Sequence, residues 1–264
     1  MIKKWIVAPF SYKTLFWGFV RQEIKARYAG SIGGLLWSIL TPLINMLIYF
    51  FVFSVILKIK ITPADTGTDS FVIYLLAGLL PWTAFSDTIS SSPAMFLGKA
   101  NLITKVAFPL EVVPIAGVLV IFILDGMGFG LFLVYLTIKG YASMSWLFLP
   151  VVTAMFAVFA LGFEILIASL SVFIRDIQQI LASILTIWMY ITPIIYPAKM
   201  SPPFFQPFLQ MNPAYAFIEL YHQILLQNTV SYQLLGQAVI CAMLSFLCGI
   251  WFYERSRKAF ADVL

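Results

Sequence analysis

Apolar residues along this chain come in long runs rather than in alternation. Six runs, 35–57, 71–90, 112–138, 146–174, 177–196 and 234–253, are long enough at 1.5 Å per residue to cross about 30 Å of hydrocarbon, and each predicts a spanning helix. A different pattern precedes the first run. Between residues 12 and 28, Leu15, Phe16, Phe19, Val20, Ile24 and Tyr28 recur at helical spacing among Lys13, Arg21, Lys25 and Arg27, which predicts an amphipathic helix at a membrane surface. Glu23 and Arg27 fall inside its apolar arc, four apart in the order that favours pairing. Gly30, Gly33 and Gly34 lead from this segment into the first span. A cleavable signal is the competing reading. The run after Gly34 is about 23 residues with no small-residue cleavage site behind it, so the segment is expected to be retained.

The connection between the fifth and sixth runs breaks the pattern again. Pro202, Pro203, Pro207 and Pro213 punctuate it, and the apolar stretch 214–226 is too short to cross. Phe204, Phe205, Phe208, Tyr215, Phe217 and Tyr221 would sit poorly in water, so short re-entrant or interfacial helices on the outer face are expected. The connection 140–145 is only a turn. The segment 95–114 combines Lys99, Asn101, Lys105, Phe108, Pro109, Glu111 and Pro114, and reads either as a docking knob or as a plain connector.

Composition agrees with the runs. With 62% hydrophobic and 10% charged residues, a chain of 264 residues has too little polar surface to clothe a soluble globule. The expected fold is therefore all-α and integral to the membrane: residues 1–34 form a cytoplasmic interface segment and residues 35–264 a six-helix transmembrane domain. The net charge of +5 does not mark a nucleic-acid protein, because the basic residues follow the membrane instead of clustering on a soluble unit. A cytoplasmic N-terminus leaves only Lys58, Lys60, Lys139 and Lys199 of the 16 Lys and Arg on the outer side, which predicts that both termini face the cytoplasm. Cys241 and Cys248 are seven apart in one helical run, too far for a disulfide on a straight helix, and read as small buried residues.

Several short motifs follow one another along the chain: Arg27-Tyr28-Ala29-Gly30-Ser31 with Gly33 and Trp37 to Pro42, Tyr74-Leu75-Leu76-Ala77-Gly78-Leu79-Leu80-Pro81-Trp82, Phe108-Pro109-Leu110-Glu111, Arg175-Asp176-Ile177, Pro193-Ile194-Ile195-Tyr196 and Asn212-Pro213. In this order and at these depths the chain resembles the permease subunits of polysaccharide-exporting ABC transporters, the type-2 exporters of O-antigen, capsule and teichoic-acid polymers. The resemblance implies a homodimeric pore in the bacterial inner membrane, two copies of a separate ATP-binding subunit beneath it, and lipid-linked polysaccharide, O-antigen foremost, as the cargo. It also implies that the leader helix contacts the ATPase, with Arg21, Lys25, Arg27, Tyr28, Phe108, Pro109, Glu111, Arg175 and Asp176 as the coupling residues. ATP and Mg would belong to the partner. No G-x-x-x-x-G-K-[ST] loop occurs in this chain, and no metal cluster or cofactor site is expected on it.

Export of a sugar polymer calls for a wide path with flat apolar faces on which rings stack. The first span offers Trp37, Tyr49 and Phe53, the fifth Trp188, Tyr190 and Tyr196, and Pro203, Phe204, Asn212 and Pro213 are candidates for an outer gate. Pro42 and Pro193 read either as hinges or as passive kinks. Asp176 is suited to cap the helix that follows it. Asp87, Asp125 and Glu164 lie in or near spans, where a carboxylate is costly; structural pairing is the reading for Asp125 and Glu164.

Two other classes of function compete. A proton-coupled carrier would use these carboxylates as a relay, but the chain lacks the internal repeat many carriers show, and such a carrier has no use for the leader helix. A membrane enzyme of lipid-linked glycan metabolism finds no support, since the only histidine, His222, has neither a G-x-S-x-G elbow nor an acidic cluster with it.

Overall fold

The computed structural model describes residues 2–99 and 109–260 of the chain. Its helices in order are α1 (Ile2–Ser11), α2 (Lys13–Arg27), α3 (Trp37–Tyr49, continued by a π-helical turn Phe50–Ile56), the single turn α4 (Pro63–Thr66), α5 (Phe71–Leu97), α6 (Val112–Ile138), α7 (Leu149–Phe173), α8 (Ile177–Ile191), α9 (Gln206–Met211), α10 (Tyr215–His222, continued by a π turn Gln223–Gln227) and α11 (Tyr232–Ser256). Among the described residues, five stretches are long and apolar enough to cross a membrane: Gly34–Ile56, Phe71–Leu97, Val112–Ile138, Met144–Phe173 and Tyr232–Ala259. This is a multi-pass membrane architecture.

The fifth predicted run differs from its expectation. It was expected over 177–196, but α8 stops at Ile191 after 15 residues, because Pro193 drives Thr192 out of the helical region to φ −87, ψ 136. Pro193 therefore ends a helix instead of kinking one. Pro42 lies inside α3 and rests on α6, where Gly128 has no Cβ to block it. The leader also differs, being two helices instead of one. Residues 2–11 form α1, which the reading of 12–28 omitted.

Helix α5 is the axis of the molecule. Its residues from Phe71 to Gly78 are all buried, and α6, α7, α8 and α10 surround it. Phe85 on α5 stacks on Phe156 and Phe159 of α7 at 5.4 Å each, and Phe217 of α10 closes the cluster at 4.8 Å from Phe156. Dispersion among such rings, rather than water exclusion, holds helices together inside a bilayer. Helices α7 and α11 approach most closely of all. A Cβ on Gly162 would run into the backbone of Ser245 and Phe246, and one on Gly249 into the carbonyl of Gly162. Small residues at such a crossing let two backbones touch.

At the end of the bundle where α5 stops and α6 starts, α1 and α2 dock as a bent pair. Trp5 is 1% exposed and meets Tyr253 of α11 edge-on at 5.1 Å. Ala8, Phe16, Phe19 and Val20 bury against Val112, Ala116, Val120 and Leu124 of α6. At the opposite end, α9 and α10 fold back into the bundle, and Phe217, Ile218, Leu220, Tyr221, Ile224 and Leu225 are all buried. That accounts for the aromatic stretch no watery loop would carry.

Candidate functional site

The leader sits where charge and cavity meet. Glu23 and Arg27 do not pair with each other, as their spacing predicts; each finds a partner on the α5 side instead. The Lys99 ammonium just beyond α5 donates to Glu23 Oε1 and lies 5.4 Å from the centre of the Phe19 ring. Arg27 Nη2 donates to Asp87 Oδ2 at 3.3 Å. Facing arcs on separate helices bring opposite charges closer than one turn of a single helix does here. Arg21 and Lys25 point away and are exposed, while Tyr28 is half-buried against α6.

The other expected coupling residues lie at the same end. Pro109 and Glu111 line a cavity of about 590 Å³ together with Lys4, Ala8 and Tyr12 of the leader. Glu111 is buried and lies 3.6 Å from Arg257, which also bonds Glu254 at 3.0 Å. Phe108 lies outside the described residues. Arg175 and Asp176 are exposed in the turn after α7, whose Phe173 packs on Phe260 at 6.0 Å. Asp176 occupies the N-cap position just before α8 but makes no side-chain cap bond, because its φ of −69 and ψ of −14 are already helical; the expected cap is not there.

Two clefts flank the Arg27–Asp87 pair. One, of about 440 Å³, opens between α2, α5 and α6 and is lined by Glu23, Lys99, Met95 and Gly117. The other, of about 380 Å³, lies between α3, α5 and α6, and takes in Trp37, Tyr49 and Asp125. One Asp125 oxygen, Oδ2, is buried with no hydrogen-bond partner among the described residues. Glu164 is fully buried behind Gly117 and Met95, and neither of its oxygens has a hydrogen-bond partner among the described residues. The structural pairing expected for these two carboxylates is thus not met. Asp125 borders the second cleft, whereas Glu164 is enclosed in the packing between α6 and α7.

The six candidate lining rings part company. Trp37 and Tyr49 border the second cleft, and Phe53 packs on Phe71 at 5.1 Å. Trp188 turns into the core, 5.2 Å from Phe85, and its indole Nε1 donates to Asn212 Oδ1 at 2.8 Å. Tyr190 is exposed on α8, and the Tyr196 hydroxyl donates to the Tyr190 carbonyl at 3.2 Å.

The candidate gate residues divide in the same way. Pro203 and Phe204 are exposed, and Pro213 is half-buried. Asn212 is a buried hub: its amide donates to Thr192 Oγ1 at 2.8 Å and its carbonyl accepts from Trp188 and from the Ala214 N–H. That triangle fastens the α9–α10 segment to the end of α8. His222 is buried beneath the Tyr74 ring, with centroids 4.0 Å apart and Nε2 3.1 Å from the Tyr74 carbonyl; Gly78 makes room for it. Burial pushes the Tyr215 hydroxyl up to about 12, with Glu219 adding to it. It also raises that of Tyr221, although the 2.8 Å bond to Thr153 works in the opposite direction. Neither phenol ionises near neutral pH.

A polar stripe on α3 escaped the sequence reading. Ser38, Thr41 and Asn45 line the second cleft with Trp37 and Tyr49. Their spacing of three and four inside an apolar run is the signal that points to them.

Comparison with known proteins completes the picture. Residues 14–226 match the family described as ABC-2 type transporter. The chain is similar to the O-antigen export system permease protein RfbA of Myxococcus xanthus, with 29% identity over 262 residues and 96% of each chain covered. It is also similar to the protein of the same name from Klebsiella pneumoniae, with 26% identity over 249 residues and 92% of each chain covered.

Proposed function

The chain belongs to the ABC-2 type transporter family, and from that premise we propose that it is the membrane subunit of an exporter of lipid-linked polysaccharide, O-antigen foremost, in the bacterial inner membrane. The subunit carries no phosphate-binding loop of its own. In this reading, two copies form the pore and two copies of an ATP-binding subunit lie beneath, at the leader end, which faces the cytoplasm with both termini. Helix α8 crosses as a sixth, short span, with 192–196 completing it, and α9–α10 enters from the outer face without crossing.

The observation that carries this reading is the docked leader. It is tied by Glu23–Lys99 and Arg27–Asp87 to the α5 side, buries Trp5 and Phe16 against the bundle, and leaves Arg21 and Lys25 free for a partner. A partner that pulls on α1–α2 pulls on the body of α5 through Arg27–Asp87, on its end through Glu23–Lys99, and on α3 through the glycine link. Gly30 and Gly34 in that link have φ of 78 and 48, a left-handed backbone that only glycine adopts without strain. Motion of α3 and α8 apart then opens the sugar path, lined by Trp37, Tyr49, Phe53, Trp188, Tyr190 and Tyr196. Pro203, Phe204, Asn212 and Pro213 close its outer end. Arg175, Asp176, Phe108, Pro109 and Glu111 complete the coupling face.

The test is export in inverted membrane vesicles bearing the chain and the ATPase that co-purifies with it. Lipid-linked glycan of the producing cell is expected to become protected from an added glycosidase only with ATP. Arg27→Ala is expected to keep ATP hydrolysis and lose most protection. Protection that persists without ATP and collapses with a protonophore would overturn the ATP-driven reading in favour of a proton-coupled carrier, which the unpartnered Glu164 and Asp125 favour.

A further inference from the structure

The cleft of about 380 Å³ between α3, α5 and α6 is of a size that holds a small ligand, and the groups around it have unspent hydrogen-bonding capacity. Thr83 donates to the Leu80 carbonyl at 2.7 Å, and Ser38 to the Leu35 carbonyl at 2.6 Å with Met127 Sδ also 3.1 Å from its hydroxyl. Thr41 and Asn45 are exposed at the mouth of the cleft and Asp125 is half-buried with its Oδ2 enclosed, and none of the three makes a hydrogen bond among the described residues. At the depth of a membrane span, polar groups left without partners mark a pathway or a ligand position, since hydrocarbon offers them no hydrogen bond.

Charge narrows the choice of ligand. Two carboxylates, Asp87 and Asp125, face one guanidinium, and Arg27 already spends a donor on Asp87 at 3.3 Å. A diphosphate would meet more negative than positive charge here. A neutral ring bearing hydroxyls meets acceptors in both carboxylates, a donor and an acceptor in the Asn45 amide, and flat faces in Trp37 and Tyr49.

We propose that this cleft is a pyranose-binding subsite, holding one sugar of the cargo by hydroxyl bonds to Asp87, Asp125 and Asn45 and by stacking on Trp37 and Tyr49, and excluding the diphosphate of the lipid carrier. The subsite rests on the exporter reading above. The sugar gives Asp125 the partner it lacks, and its arrival beside Asp87 competes with Arg27 for that carboxylate, so occupancy of the cleft and the leader's grip on α5 are linked.

A benzophenone side chain at position 45, and separately at position 41, in the transporter with its ATPase tests this in cells that make the polymer. Irradiation is expected to attach glycan to the chain, seen as a periodate-sensitive ladder above the permease band; the same side chain at Val134, exposed on α6 and outside the cleft, is the control. In vesicles, Asp125→Asn is expected to raise the concentration of lipid-linked glycan needed for half-maximal ATPase stimulation roughly tenfold, the effect of one charge-assisted hydrogen bond. The maximum should be unchanged. An isoprenoid diphosphate without sugar is expected not to suppress the adduct. Adduct-free chains at both 41 and 45 while ATP-dependent export continues, or full suppression by the sugarless diphosphate, would overturn the subsite and leave the exporter standing. Absence of ATP-dependent export in the unaltered protein would instead remove the exporter reading, and the subsite with it.

Discussion

Helices α3 and α5 follow one another in the chain and are opposites in setting. The span containing α3 is the more apolar of the two, yet none of its most apolar window is buried, whereas 78% of the corresponding window of α5 is. In water the order would be reversed. In lipid an apolar side chain gains nothing from leaving its surroundings for the protein interior, so packing shape and backbone bonding decide which helix becomes the core. Helix α5 carries Ser, Thr and Pro from Pro81 onward and buries several of them, with Thr88 Oγ1 bonded to the Ala84 carbonyl at 2.8 Å and Ser92 Oγ to that of Thr88 at 2.9 Å. Helix α3 turns Leu40, Leu43, Leu47 and Phe51 outward. Helix α8 shares that character, burying only Leu181 and Leu185 while Ile180, Ile184 and Ile187 face away.

The contrast is sharpest in side-chain deletions. Phe85→Ala removes a fully buried ring from the α5–α7 cluster and is expected to destabilise the fold by about 3–5 kcal/mol, read as a fall in thermal midpoint of the purified protein in detergent. Asn212→Leu tests an intermediate case, where the burden is polar. With Trp188 Nε1 and the Ala214 N–H left without an acceptor, a loss of about 1–3 kcal/mol is expected, along with faster proteolysis of the 197–214 segment. Leu47→Ala, on the open face of α3 at 60% exposure, is expected to shift the midpoint of the monomer by no more than about 0.5 kcal/mol. A large loss there only in the assembled transporter would mean that the open face is covered by a second copy.

What the chain's pattern revealed and what it hid divide along the same line. The apolar runs located the long helices to within a few residues, except that α5, expected over 71–90, continues to Leu97 through the polar and Pro93-containing stretch that ends the apolar run; span length is set by bilayer thickness and needs no knowledge of neighbours. The amphipathic leader was legible in Phe16, Phe19 and Val20 for the same reason. Partnership was not. Glu23 and Arg27 have an ideal local spacing for each other, and only the fold reveals that Lys99 and Asp87 are nearer. Helix α1 escaped because Pro9 sits inside it and its key contact, Trp5 on Tyr253, joins residues at opposite ends of the chain. The shortness of α8 was written in Thr192-Pro193, but an apolar run that continues past a proline reads as one span. Of the candidate site, the residues named for coupling do gather at the leader end where described. The rings named for the path split, because aromatic type alone does not distinguish Trp188, which hydrogen-bonds inward, from Tyr190, which does not.

The crossing of α7 and α11 has one more consequence. Where Gly162 and Gly249 bring two main chains into contact, each helix blocks the other: sliding by one residue would set a side chain against bare peptide. The pair is therefore expected to behave as one piece, with any change of shape falling on helices outside this crossing.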